Sequence, residues 1–292
     1  MRLQKKILLP VDITAISKQQ LDLAIVLAQL NKSEIIVMSV LSDTVLNDEV
    51  KTIVVLAITD SLNKVIEILK KAGVKTKGPV IAYGKPEDKI LNMALEERVN
   101  LILVSSGNKS KSEKFKLGTT AGKLLRLSDI PVWVANSNDE IGLTNILCPV
   151  DFSDASKCAL KNAILLAKDF KATLRILAVY EPFTNNSPRL NLDEKTENLY
   201  RLKRFEHEMN QFLKEFNLEG INHKVDVQHG IPHEIILHTV KKYSHDLLVM
   251  GTNGRTGLNR LVMGSITEKV TREMPCSFVT TKRPNYSNNI RL

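Results

Sequence analysis

The chain repeats itself, and that repetition limits its fold more than any other feature. KILLPVDITAISKQQLDLAIVLAQLNKSEIIVMSVL, from Lys6, aligns without a gap on NILCPVDFSDASKCALKNAILLAKDFKATLRILAVY, from Asn145. Pro10/Pro149, Val11/Val150, Asp12/Asp151, Ser17/Ser156, Leu21/Leu160, Ala24/Ala163, Ala28/Ala167 and Val40/Val179 coincide. A second block, from Tyr83, matches one from His229 through Gly84/Gly230, Pro86/Pro232, Ile90/Ile236 and Leu101/Leu247. Similarity over such a span means one structural unit used twice, so whatever the first half folds into, the second does too. With 292 residues in all, each copy is long enough to bury its own core. The expected units are residues 1–137 and 143–283, with the polar NSNDEIGL between them as linker and 284–292 as a polar tail.

Within each copy, short apolar runs alternate with helical periods. KILLPV reads as a buried strand, Leu21, Ala24, Ile25 and Ala28 follow at helical spacing, and EIIVMSVL is strand again. A long helix is expected over about Leu46 to Ala72, with its counterpart over about Asp193 to Phe216. Pro86 and Pro232 suit the first position of the next helix, and NLILVSS or DLLVMGT supplies a further strand. Such alternation predicts an α/β fold, with two tandem doubly wound parallel sheets covered by helices and joined by right-handed crossovers. Ligands of these sheets bind beyond the carboxyl ends of the strands, where the strand order reverses.

Composition narrows the function classes. Hydrophobic residues at 43% and charged residues at 25% are ordinary for a folded globular chain. No apolar run is long enough to span a bilayer, and the start lacks a signal peptide's features, so a cytoplasmic location is expected. Cys148, Cys158 and Cys276 form no CxxC pair and are expected reduced and buried. His223, His229, His233, His238 and His245 show no metal-binding spacing. A net charge of +9 raises the question of an anionic partner: a nucleotide, nucleic acid, anionic lipid, or none beyond solvent. Aromatic residues at 5% offer few stacking platforms for single strands, which ranks nucleic acid last.

The chemistry is concentrated after the strand DLLVMG, in GTNGRTGLNRLVMGSITEKVTREMP. Gly251, Gly254, and then Gly264 with Ser265 stand between a strand and a helix. Glycines there let backbone N–H groups approach a ligand closely, and the helix start favours phosphate. Ser265 can add a hydroxyl, and Arg255 and Arg260 are cations nearby. Plainer roles are open to the same residues, with glycines making turns and Ser265 or Asp151 capping a helix.

Gly251-x2-Gly254-x9-Gly264-Ser265, taken with Pro149 to Ser153 and the strand ending Ala178-Val179, resembles the ATP-binding class of the universal stress proteins. The resemblance covers both copies. It implies five-stranded Rossmann-like sheets of the adenine nucleotide alpha hydrolase type, ordered 3-2-1-4-5, with a nucleotide across strands one, two and four. It places Asp151 on the ribose, the backbone of Val179 on adenine, and Gly251, Gly254, Gly264 and Ser265 on ribose and phosphates. Pro149, Val150, Met250, Thr252, Arg255 and Ile266 complete the implied site. The ligand would be ATP, ADP or AMP, with or without Mg, and the activity a nucleotide-responsive stress or regulatory module. The alternatives are a slow ATPase or nucleotidyl transferase, for which no Walker pair or kinase loop is visible, and an anion- or nucleic-acid-binding interaction protein. The last strands, Val132 to Ala135 and Ser277 to Thr281, would leave unpaired edges whose pairing within one chain would make a pseudo-dimer like the family's homodimers, with a homodimer of chains as a further expectation.

The first copy departs from this pattern. Ser105 and Asn108 stand where the second has Gly251 and Gly254, and only Gly118-Thr119 matches Gly264-Ser265. Nucleotide is therefore expected in the second copy alone. Lys109, Lys111, Lys114, Lys116, Lys123 and Arg126 make the first loop basic, which suits either an anion or a solvated loop. GTTAGK, from Gly118, has one residue too few between its glycines for a P-loop, and Leu124 stands where a Ser or Thr should bind magnesium.

Overall fold

A computed structural model describes residues 5–41, 48–107, 117–136, 142–181, 194–252, 263–273 and 276–282. Contacts divide the chain into two compact units, whose main parts lie before and after the boundary between Ile141 and Gly142.

In the first unit the strands are β1 (Lys6–Pro10), β2 (Glu34–Leu41), β3 (Lys75–Tyr83), β4 (Leu101–Ser105) and β5 (Val132–Ala135). The helices between them are α1 (Lys18–Asn31), α2 (Asp48–Lys71), α3 (Pro86–Glu96) and α4 (Thr119–Leu127). The strands lie in the order β3-β2-β1-β4-β5 and pair in parallel. From β1 the chain winds outward first through β2 and β3, then on the other side through β4 and β5. Right-handed crossovers in opposite directions place helices on opposite faces, and the reversal lies between β1 and β4. Apolar runs explain the buried strands: Leu8, Leu9, Ile35, Ile36, Val37, Ile102 and Leu103 are all inaccessible to solvent.

The second unit repeats the plan with β6 (Asn145–Val150), β7 (Thr173–Tyr180), β8 (His223–His229), β9 (Leu247–Gly251) and β10 (Ser277–Thr281). Its helices are α5 (Asp154–Phe170), α6 (Glu194–Leu213), α7 (Pro232–Lys242) and α8 (Ser265–Glu273). The order is β8-β7-β6-β9-β10, again 3-2-1-4-5, and β6 pairs in parallel with β7 and β9, as does β7 with β8. Pro86 and Pro232 open α3 and α7, where a missing N–H costs nothing because no carbonyl precedes it in the helix. α6 stops at Leu213, short of the expected Phe216, and residues 214–216 continue as turn. Among the described residues no helix is long and apolar enough to cross a membrane.

The two copies end their first helix alike and begin it differently. Lys32 and Lys171 both take left-handed backbone, φ 52° and 53°, and return an N–H to Ala28 and Ala167. At the other end Ser17 caps α1, accepting from Gln20 N–H at 3.2 Å, whereas Ser153 caps α5 and accepts from Ser156 N–H at 3.2 Å. Ser17 aligns with Ser156, not Ser153, so α5 starts a turn earlier.

Candidate functional site

The extra turn of α5 exists because β9 ends in glycine. A Cβ on Gly251 would lie 2.8 Å from the carbonyl carbon of Ala155 and 2.9 Å from its side chain, closer than packed atoms come. The turn Asp154–Ser156 therefore lies directly against the end of β9. Gly251 is thus required by helix packing, and not by a positive φ. In the first copy Ser105 and Ile16 occupy the positions of Gly251 and Ala155, and the corresponding turn is not helical.

The segment before each first helix is held in the same way. Asp151 accepts the Ser153 N–H at 3.1 Å and also its hydroxyl, and Asp12 accepts the Thr14 N–H at 2.9 Å and its hydroxyl at 2.6 Å. Such a turn, in which a carboxylate takes the N–H two residues on, accounts for an aspartate in both copies whether or not a ligand is present. Asp151 is not itself the helix cap; it orients the serine that is. Between them Phe152 has φ 65°, an uncommon conformation for a bulky residue, typically costing about 1–3 kcal/mol. Its ring packs 5.4 Å from Phe212 and 6.0 Å from Phe205, measured between centroids, which holds it there.

On the other side of β9 the loop base closes identically in both copies. Gly264 N–H donates to the Thr252 carbonyl at 2.7 Å and Gly118 N–H to the Ser106 carbonyl at 3.1 Å. Thr252 is 1% exposed and, against expectation, does not line the cavity described below. Thr267, in the first turn of α8, ties the helix to β9 by donating its hydroxyl to the Gly251 carbonyl at 2.9 Å. The first copy has Ala121 at that position and lacks the bond.

These elements enclose a cavity of about 550 Å³ over the carboxyl ends of β9, β6 and β7, within the range of small-molecule sites. β6 is flanked by β7 and β9, so the cavity sits at the reversal of strand order. Pro149, Val150, Asp151, Val179, Met250, Gly251, Gly264, Ser265 and Ile266 all line it. Gly254 and Arg255 lie outside the described residues, as do Arg260 and Asn108, Lys109, Lys111, Lys114 and Lys116 of the first loop. Ser153 and Ser156 of α5, Pro232 of α7, and Ser265 and Thr267 of α8 bring three helix starts to its wall. Each start brings the positive end of a helix dipole to that wall.

Sequence reasoning missed the residues that α6 contributes, Arg201 and Phe205, together with Tyr180 and Glu181 from the end of β7. Their i, i+4 spacing on a long helix was visible; the crossover that brings that face to the strand ends was not. The basic character of the first loop is also reduced among the described residues, since Lys123 pairs with Glu87 at 2.6 Å and holds that carboxyl below its ordinary range. Of the cysteines, Cys148 and Cys276 are buried but Cys158 is half-buried, which corrects the expectation that all three are interior; burial pushes the Cys148 thiol far up. His245 is a core residue whose pKa burial lowers, with Nδ1 3.2 Å from the Thr239 carbonyl. Among the described residues no group of three or more His, Cys, Asp or Glu is placed to hold a metal ion.

Two repeated doubly wound domains, the second with a cavity at its switch point, define the class. A model of the universal stress protein family matches residues 4–136 and again 142–282, and the chain belongs to that family. A universal stress protein of Methanocaldococcus jannaschii is 30% identical over 175 residues, covering 56% of this chain and 97% of the relative. Universal stress protein E of Escherichia coli strain K12 is 23% identical over 232 residues, covering 76% of this chain and 72% of its own. Among solved structures, a universal stress protein from Archaeoglobus fulgidus superposes with a TM-score of 0.70 at 23% identity, covering 96% of this chain and 98% of that one.

Proposed function

We propose that the second domain binds an adenine nucleotide, ATP, ADP or AMP, in the cavity over β9, β6 and β7, and that the chain acts as a nucleotide-responsive module rather than a dedicated enzyme. The observation that supports this most is the convergence of the starts of α5, α7 and α8 on a single cavity. A ligand with negative charge toward β9 is stabilised by the starts of α5 and α8, and a cavity lined mainly by apolar side chains suits an aromatic base toward β7.

In this reading Gly264 and Ser265, with Gly254 and Arg255 of the intervening loop, hold the phosphates. Asp151 takes a ribose hydroxyl while keeping Ser153 in place, and the backbone at Val179 meets the base. Mg would enter with the polyphosphate. The first domain is proposed not to share this function. Its helix lacks the turn that carries Ser153 and Ser156, and Gln20, 2% exposed, donates Nε2–H to the carbonyls of Pro10 and Leu103, both at 2.9 Å. That amide occupies space beneath α1 where the second copy has only Ala159.

Titration calorimetry of the full chain with ATP tests the reading. The expected result is one nucleotide per chain, with affinity lowered by Ser265→Ala. Two equivalent sites would contradict the division between the copies, and no binding of ATP, ADP or AMP would contradict the function.

A further inference from the structure

The cavity has two chemically different sides. Toward β9 stand the starts of α5 and α8 and the glycines; toward β7 stand Tyr180, Glu181, the start of α7 after β8, and two side chains of α6, Arg201 and Phe205. Arg201 and Phe205 are i, i+4 neighbours on one helix face. Arg201 Nη1 donates to the Glu181 carbonyl at 3.3 Å, tying α6 to the end of β7. Phe205 is half-buried and braced on two sides, its centroid 5.4 Å from that of Tyr180 and 6.0 Å from that of Phe152. Tyr180 in turn lies 5.0 Å from the ring of His229. The ring at position 205 is thus fixed before any ligand arrives.

The first copy lacks this wall. Thr76 and His223 hold the same register, beside Ile35 and Leu174. Counting back from them without a gap places Phe205 and Arg201 opposite Ile58 and Val54 of α2. Burial agrees, since Leu62 and Val65 of α2 are as closed as their partners Met209 and Phe212. Tyr180 and Phe152 likewise align with Leu41 and Ile13. Three lining positions of the cavity, with Phe152 against Phe205, are therefore aliphatic in the first copy and aromatic or cationic in the second. A hydrophobic core alone does not require that exchange, and a guanidinium is an unfavourable choice for it.

We infer that α6 supplies the base-recognising wall of the site: Phe205 meets the π-surface of a purine, and Arg201 offers hydrogen-bond donors to its acceptor edge. This rests on the nucleotide reading above and adds to it the residues that select the ligand's base. A braced aromatic ring loses little freedom on binding, and an aromatic face suits any flat heterocycle. The guanidinium supplies donors in a fixed fork, complementary to the ring nitrogens.

The test titrates adenosine and ATP into the full chain and into Phe205→Ile and Arg201→Val, which install the first copy's residues, with thermal unfolding run alongside. Phe205→Ile is expected to weaken adenosine and ATP by the same factor, roughly five- to a hundredfold, and Arg201→Val by a smaller common factor. Phe205→Tyr, which keeps the ring, should stay within about twofold of the parent, the effect of an exposed hydroxyl on stacking being small. Ser265→Ala should weaken ATP and leave adenosine unchanged, which separates the two sides. Unchanged adenosine affinity in Phe205→Ile and Arg201→Val, with ATP still bound by the parent, would overturn the wall and spare the nucleotide reading. A parent chain that binds neither ligand would overturn both. Equal losses in Phe205→Ile and Phe205→Tyr would also overturn the wall, because the ring would then matter only for packing.

Discussion

The first and second copies share the same strand order, the same aspartate turn and the same backbone closure at the base of the loop, yet differ wherever the first helix meets the fourth strand. In the second copy Gly251 and the small Ala155 and Ala159 let α5 lie close to β9 and start a turn early. In the first, Ser105, Ile16 and Gln20 occupy the corresponding positions, and an amide between α1 and the strands takes the place of close contact. Conserving a fold therefore does not conserve the packing at its strand ends. One Cβ at a strand end decides whether a helix turn can form beside it, and that turn carries polar groups of the site.

The largest effect is expected from importing the first copy's residue into the second. Gly251→Ser puts a Cβ against the Ala155 backbone, which cannot yield as a flexible side chain would. It should destabilise the second domain by about 1–3 kcal/mol and abolish nucleotide binding. Denaturant unfolding together with ATP titration would check both. Ser105→Gly, the reverse change, should leave the first domain within about 1 kcal/mol of its parent and confer no binding. Unimpaired nucleotide binding in Gly251→Ser would break the comparison.

Removing the amide comes next. Gln20→Ala leaves the Pro10 and Leu103 carbonyls without these donors and should cost the first domain about 2 kcal/mol in the same unfolding experiment. A change near zero would mean that water replaces the amide freely. A smaller effect is expected from Thr267→Ala, which copies Ala121 and removes the bond to the Gly251 carbonyl. About 1 kcal/mol of second-domain stability is at stake, with a matching loss of ATP affinity if α8 must be fixed to meet the phosphates.

The smallest difference concerns acid. His245 is buried in the second domain where the first has Val99, and burial lowers its pKa below the ordinary 6.5. The unfolded chain then takes up a proton that the folded domain resists. Stability is full above about pH 6.5 and falls as pH drops through that value toward the lowered folded pKa. Unfolding midpoints between pH 7.5 and 5.5 should show this loss, and His245→Val should remove it; an unchanged slope in the variant would assign the acid sensitivity elsewhere.

Most of the fold was legible because it is written locally. Apolar runs of strand length, the i, i+3, i+4 spacing of Leu21, Ala24 and Ile25, and prolines at helix starts each fix an element without reference to distant chain. Nine of the residues named for the site line the cavity for a related reason, since they sit at strand ends and loop junctions that the topology brings together. What escaped depends on pairs far apart in sequence. Gly251 reads as a loop glycine until Ala155 is seen beside it, and Gln20 reads as an exposed helix residue until its amide is found between two strands. Arg201 and Phe205 lie on a helix whose rotation about its own axis is set by Phe152 and Tyr180. Helix length was overestimated at Phe216 because its ring continues the apolar spacing after the helix itself has ended.

The central claim, that nucleotide binds the second copy and not the first, is tested most directly by photo-crosslinking the full chain with 8-azido-ATP and mapping the labelled peptides. Labelling confined to residues 142–282, removed by excess ATP and concentrated on peptides from β7 and α6, is the expected result. Labelling of residues 4–136, alone or at a comparable level, would contradict it.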